Sequence, residues 1–219
     1  VVTFDNEGTR TTAIIDDGDK LTAPAAPTKE GYRFGGWYYD NSGSEAKWNF
    51  GTDTVTRAMT LTAKWVQTYT VAFDTNGGSE VDPVTVDAGS TVTKPADPMK
   101  SGHNFGGWYK DSTLQTPWDF ADDTVTADTT LYAHWTQNIH TVTIKADKDG
   151  KVIETQQIPE GGLAKKPAKE PVREGYTFVG WQANGAAWDF DQNVVERDTE
   201  IIALWEKVVI APDVAIEGG

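Results

Sequence analysis

Apolar and polar side chains alternate at three places in the chain: Val2 and Phe4, Val71 and Phe73 set against Thr70 and Ala72, and Val142 and Ile144. A period of two is the pattern of a strand with one buried face. Turn residues follow each stretch, at Asn6-Glu7-Gly8, Asn76-Gly77-Gly78 and Asp149-Gly150, so each strand is expected to open a hairpin. The returning strand is expected to end near Ile15, Val86 and Ile158, before Gly18, Gly89 and Gly161. Paired prolines come next, Pro24 with Pro27, Pro95 with Pro98 and Pro167 with Pro171. They leave room for at most one short helical turn. A run of the form Gly-Tyr-x-Phe-x-Gly-Trp then reads as a third strand and Thr-Leu-x-Ala-x-Trp as a fourth. The class is mostly β, with a small mixed sheet.

These elements recur because the chain is three copies of one unit. Trp48, Trp118 and Trp188 are spaced by 70 residues, as are Trp65, Trp135 and Trp205, while Trp37, Trp108 and Trp181 are 71 and 73 apart. All nine Trp belong to this period. The units span about 1–66, 67–137 and 138–206, and 207–219 forms a tail or the start of a further module. The link residues after Trp65, Trp135 and Trp205 are few and contain neither Gly nor Pro, which restricts rotation between units. Three beads of this size in line would extend about 80 to 110 Å.

Several aromatic and glycine positions recur together three times: Phe34 with Trp37, Phe105 with Trp108 and Phe178 with Trp181; then Trp48-Asn49-Phe50, Trp118-Asp119-Phe120 and Trp188-Asp189-Phe190; then the closing Trp65, Trp135 and Trp205. Together they resemble the internalin-type B-repeat, also called the Listeria-Bacteroides repeat, over about 206 of the 219 residues. The resemblance implies three tandem β-grasp-like (ubiquitin-like, α+β) repeats with a short helical element. It also implies an extracellular location in a bacterial cell envelope. The third unit departs most, with Gln182 where Tyr38 and Tyr109 stand and Leu204 where Lys64 and His134 stand.

Composition narrows the function. Nineteen Lys and Arg against 33 Asp and Glu give a net charge of -14, the wrong sign for holding nucleic acid phosphates. The charge is uneven, -2, -7 and -4 in the three units, so a charge-specific ligand would meet three unequal sites, and anionic glycans are disfavoured. No Cys occurs, which removes disulfides, thiolate metal sites and Cys nucleophiles and suits a secreted protein. No apolar run reaches the roughly 20 residues of a membrane-spanning helix. The first residues already read as strand rather than signal peptide, so the chain is expected to be a stretch of a longer protein. A 70-residue bead rarely stands without a disulfide or metal, and here aromatic mass takes that role.

Candidate chemistry is sparse. Asp16-Asp17-Gly18-Asp19 and Asp122-Asp123 offer paired carboxylates, but Ala88 and Ser90 replace Asp17 and Asp19 in the next unit, so solvated loop charge is the expectation. Asp147-Lys148-Asp149-Gly150 opens like a calcium loop, yet Ile158 stands where the twelfth-position Glu is needed. His103, His134 and His140 share no ligand spacing. No cofactor, metal or catalytic residue is expected.

Aromatic residues are the remaining candidates. On a regular strand Phe34 and Trp37 face opposite sides, so either the glycine pair at 35–36 makes a bulge that resets the register, as at 106–107, or one aromatic meets a neighbour or a ligand. Trp37, Tyr38, Trp108, Tyr109 and Trp181 are the candidate binding residues. Phe34, Trp48, Trp65, Phe105, Trp118, Trp135, Phe178, Trp188 and Trp205 form the expected core motif. The segments joining the inner Trp residues contain ten, nine and six residues, and variable loops carry specificity, which points to Asn41-Ser42-Gly43-Ser44 and Lys110 to Pro117. The expected function is a non-enzymatic surface spacer or stalk that adds weak adhesion. The rival is a module that binds a host-surface protein or a glycan.

Overall fold

A computed structural model describes residues 1–209; positions 210–219 of the expected tail lie outside the described residues. The chain groups into two compact units, Val1–Pro98 with Gly107–His134, and Met99–Gly106 with the chain from Trp135 onward.

In the first unit, Val2–Asn6 forms a hairpin with Thr9–Ala13 and lies parallel to Met59–Asp74, with Val2 opposite Met59 and Phe4 opposite Leu61. On its other side Met59–Asp74 pairs antiparallel with Tyr32–Asn41, which turns back as Ser44–Lys47. The order second–first–fourth–third puts the two most apolar strands in the centre. Alternation explains the choice: Val2, Phe4, Leu61 and Ala63 are buried on one face while Thr3 and Thr62 face away. Two parallel strands need a long connection. The chain from Ile14 to Gly31 supplies it in irregular form, and no helix occurs among the described residues. The short helical element implied by the resemblance is thus replaced by a proline-bearing crossover, because Pro24 and Pro27 deny it consecutive amide donors. Gly18 makes the bend with φ 86°, and its N–H donates to Val55 O at 2.8 Å. Gly89 and Gly161 do the same to Val125 and Val195.

The second repeat begins without a break. Met59–Asp74 is one strand whose far half pairs with Val84–Asp87 and runs parallel to Thr129–Gln137, Val71 opposite Thr129. Trp65 and Val71 are six positions apart, an even number that keeps alternation in phase across the link. Arg33 of the first repeat reaches Asp87 of the second with two bonds, Nε to Oδ1 at 3.0 Å and Nη2 to Oδ2 at 2.5 Å. Thr68 N–H donates to Gly31 O and Ala88 N–H to Gln67 O beside it.

In the second unit Ile139–Lys145 pairs with Val152–Pro159 and runs parallel to Thr199–Lys207, which pairs with Tyr176–Ala183. Asp147 to Gly150 is a turn, as expected, closed by Gly150 N–H to Asp147 O. A register shift between Val152 and Glu154 follows it.

The glycine bulge is present. Phe34 faces Trp65 and Gly36 faces Lys64, so Gly35 is the extra residue, and Gly36 takes φ 126°. The third repeat shifts between Phe178 and Gly180. Phe34 and Trp37 therefore share the core face, rings 5.5 Å apart and edge to face, as are Phe178 and Trp181 at 5.3 Å.

Two outcomes follow. Gly107 has φ 107° with nothing within 4 Å of an added Cβ, so Gly107→Ala tests backbone strain alone and lowers unfolding free energy by about 1 to 3 kcal/mol in urea denaturation; an unchanged midpoint would remove the argument for strain. The Arg33 guanidinium holds Asp87 below the usual carboxylate range. The stability it contributes is present above the ordinary carboxylate pKa and is lost as pH falls through the depressed folded value. Asp87→Asn should accordingly lower Tm at pH 7 and change it little at pH 2.

Candidate binding surface

The bulge decides which aromatics a partner can reach. Once Gly36 resets the register, Trp37 points into the core, Tyr38 to the opposite face and Tyr39 inward again onto Trp48, with ring centres 5.5 Å apart. Trp37, Trp108 and Trp181 are 6, 2 and 5% exposed. Phe4 packs edge-on to Trp37 at 5.0 Å and Phe73 to Trp108 at 4.9 Å. These three indoles, expected at a binding surface, are instead core residues: a β-strand cannot show Phe34, Trp37 and Tyr38 on one side, and the bulge gives the first two to the core.

Of the expected core motif, Trp48 is buried, while Phe34, Trp65, Phe105, Trp118, Trp135, Phe178, Trp188 and Trp205 are partly buried. Phe34 packs on Trp65, Phe105 on Trp135 and Phe178 on Trp205, all at 5.4 to 5.8 Å. The closing indoles also bond back across the repeat, Trp65 Nε1 to Asn6 Oδ1 at 3.3 Å and Trp205 Nε1 to Ala146 O at 2.6 Å.

Tyr38 and Tyr109 remain on the outer face, both half-buried. Tyr38 lies opposite Lys47 and Thr62. With Asp40, Gly43, Ser44 and Glu45 it lines a concavity of about 360 Å³. Near it Lys64 is paired with Glu45 at 2.7 Å. Tyr109 meets the His134 ring edge-on at 5.4 Å. The third repeat has Gln182 and Leu204 at these places, so the row is aromatic beside a cation or imidazole in two repeats and lacks both in the third.

The variable loops are ordered by different chemistry. Ser42 and Gly43 take φ 57° and 88°, the two-residue turn that suits a hairpin, and Asp40 Oδ1 accepts from Gly43 N–H at 2.6 Å. In the second repeat, Asp111 gathers the N–H groups of Thr113, Gln115 and Thr116 and the Thr113 hydroxyl. These bonds hold its carboxyl below the usual range, the Thr113 hydroxyl bond foremost. Lys110 Nζ reaches Asp123 at 2.6 Å. The third repeat uses Asn184-Gly185, with φ 53° and 82°.

Three recurrent devices escaped the motif reading. After each middle Trp a tight turn closes reciprocally: Asp53, Asp123 and Asn193 side chains accept from the N–H of Asn49, Asp119 and Asp189 at 2.7 to 2.9 Å. The latter three side chains accept from Gly51, Ala121 and Asp191 at 2.9 Å. Lys29 and Arg173 lie 4.4 and 4.1 Å over the rings of Tyr32 and Tyr176, and Lys100 lies 5.8 Å from Trp135. Asp128 and Asp198 take the N–H of Thr70 and Thr141. Each could have been found by aligning the repeats for polar as well as aromatic positions.

The acidic pairs do not assemble into a site. Asp16, Asp17, Asp19 and Asp122 are exposed, and among the described residues no three His, Asp or Glu are placed to hold a metal. Glu160 accepts from Asn138 Nδ2 at 2.7 Å and lies 3.5 Å from His140 Nε2, and these contacts hold its carboxyl below the usual range. No helix among the described residues is long and apolar enough to cross a membrane.

Residues 1–64, 69–134 and 140–204 each match the Listeria-Bacteroides repeat domain. Among curated proteins, the chain is 38% identical over its whole length to a Gly-rich membrane protein of Evansella cellulosilytica, covering 26% of that protein. It is 40% identical over 84% of its length to a second membrane protein of that organism, covering 28% of it. Internalin H of Listeria monocytogenes is 40% identical over 64% of the chain, which covers 25% of it. The chain thus spans about a quarter of the length of these relatives. With three repeats matched in series and relatives similar along the chain, this protein belongs to the Listeria-Bacteroides repeat domain family.

Proposed function

We propose that the chain is a non-enzymatic repeat region of a bacterial cell-surface protein, exposed outside the cell, in which modules 1–66, 67–137 and 138–206 act in series as a semi-rigid spacer. The observation that carries this reading is the strand Met59–Asp74, which belongs to two repeats and has no flexible link between them. A rotatable joint needs free backbone, and here the link's amides are committed: Thr68 N–H to Gly31 O, and Thr70 N–H to Asp128 Oδ1 at 2.8 Å. Arg33 and Asp87 brace the same joint from the side. The relatives support the location: two carry the description membrane protein and one is an internalin. Each module is proposed as a β-grasp-like unit whose crossover has no helix.

Weak adhesion through Tyr38, Tyr109 and the loops beside them is the second reading. It draws on the concavity that Tyr38 shares with Gly43, Ser44 and Glu45. A host-surface protein or a glycan is the kind of partner it implies.

Small-angle scattering of the chain separates a spacer from a compact particle. A spacer gives a largest dimension of about 80 to 110 Å, whereas a compact 219-residue globule would show a radius of gyration near 17 Å. The second value would end the spacer proposal.

A further inference from the structure

The first and last strands of each repeat meet in one parallel ladder. Val2 to Asp5 lie beside Met59 to Thr62, Val71 to Asp74 beside Thr129 to Tyr132, and Val142 to Lys145 beside Thr199 to Ile202. The chain enters a repeat at the N-terminal end of the first strand and leaves it at the C-terminal end of the last. Tension along the chain therefore draws two neighbouring strands in opposite directions along their own axes. The ladder is sheared, with all its bonds stretched together, rather than peeled open one bond at a time. Between the first and second repeats the tension runs along the single strand Met59–Asp74.

Several features oppose the slip. A step of one residue turns every side chain to the other face. It would take Val2, Val71, Val142 and Ile144 out of the core, where all four are 0% exposed. Leu61, Leu131 and Ile201 on the partner strands are equally shielded, so water has no access to the ladder bonds from the core side.

Side chains also tie the two strands together at the ladder's ends. Trp65 Nε1 donates to Asn6 Oδ1 at 3.3 Å, Asn76 Nδ2 to Ala133 O at 2.7 Å and Trp205 Nε1 to Ala146 O at 2.6 Å. At the opposite end Asp128 and Asp198 precede the last strand and accept from Thr70 and Thr141 N–H at 2.8 and 2.7 Å. Ala58 stands at that place in the first repeat. Lys145 Nζ adds an ion pair with Glu200 across the third ladder at 2.5 Å. With no Cys in the chain, these non-covalent ties replace the disulfide that would otherwise hold a stretched domain closed.

We infer that each repeat is a mechanical clamp, built to withstand tension applied along the chain, and that the three act in series. A spacer needs only to keep its shape, so resistance to pulling is a further function. It rests on the surface-repeat reading for its use, holding when one end of the protein is fixed and the cell is dragged. The two readings fail separately, since scattering reports shape at rest and pulling reports the strength of the ladder.

The test is single-molecule force spectroscopy of the whole chain. Held at its two termini, the unsubstituted chain should give three ruptures, each releasing roughly 200 Å of extended chain. Smooth extension without ruptures would overturn the inference. The absence of Cys also allows one repeat to be gripped in two ways. Ile139→Cys with Lys207→Cys grips opposite ends of the third ladder and shears it, whereas Ile139→Cys with Arg197→Cys grips one end and peels it. All three side chains are exposed. At one pulling rate the rupture force in shear should exceed that in peeling by about twofold or more, because forced unfolding follows the barrier along the direction pulled. Equal forces in the two geometries would overturn the inference.

Discussion

Pairing the first and last strands of a repeat in parallel joins residues nearly sixty positions apart, Val2 with Met59, Val71 with Thr129 and Thr199 with Val142. Antiparallel pairing could have been reached through a short turn, whereas parallel pairing obliges the chain to cross over and return. The proline-bearing crossover, the placement of the third strand outside the fourth and the burial of both central strands follow from that one choice. So does the joint between repeats. Because the last strand runs in the same direction as the first, the chain leaves one repeat in the direction in which it enters the next. A single strand can then serve both sheets, as Met59–Asp74 does.

The sequence made the architecture legible where its signals were redundant. Nine Trp at fixed spacing reveal the repeat, and alternation at Val2/Phe4, Val71/Phe73 and Val142/Ile144 locates the first strands. The clash between the period of two and the three-residue step from Phe34 to Trp37 even foretells the bulge at Gly35 and Gly36. What was not legible is which aromatic the bulge would leave outside. Strand periodicity gives relative faces but not which face is core, and the tryptophans are so large that exposure and burial both looked reasonable. The polar devices escaped for another reason. Asp53, Asp123 and Asn193 each close a turn on a residue four positions earlier, a pattern that shows only when polar positions of the three repeats are aligned, whereas Arg33 and Asp87 lie 54 positions apart and leave no local pattern.

Cores of these repeats differ in which side chains fill the same positions. Without disulfides the module relies on edge-to-face aromatic contacts, each small beyond the area it buries. Swapping Phe4 for its third-repeat counterpart Ile144 removes one such contact, and Phe190 replaces it from the other side. The fold survives because the bulge, the crossover bend at glycine and the reciprocal turn after the middle Trp are backbone features that do not depend on which side chain fills the centre. Core side chains are thereby free to vary without altering the strand order.

The two joints differ by a single residue, and the consequence is physical. Six positions separate Trp65 from Val71, but seven separate Trp135 from Val142. An odd step cannot keep both residues on one face of a continuous strand. The extra residue is accommodated where one strand ends at Gln137 and the next starts at Ile139, leaving Asn138 between them. Asn138 N–H donates to Gly102 O and Asn138 O accepts from Glu160 N–H, both at 2.9 Å, while its side chain holds the Glu160 carboxylate. Thr68 and Gln67 divide the same backbone roles at the first joint. One residue therefore does in the second joint what two do in the first. The bidentate guanidinium–carboxylate pair has no counterpart there, since Asn104 occupies the position of Arg33. The same module is thus joined in two ways, by a strand that never stops and by a single asparagine that bridges a break.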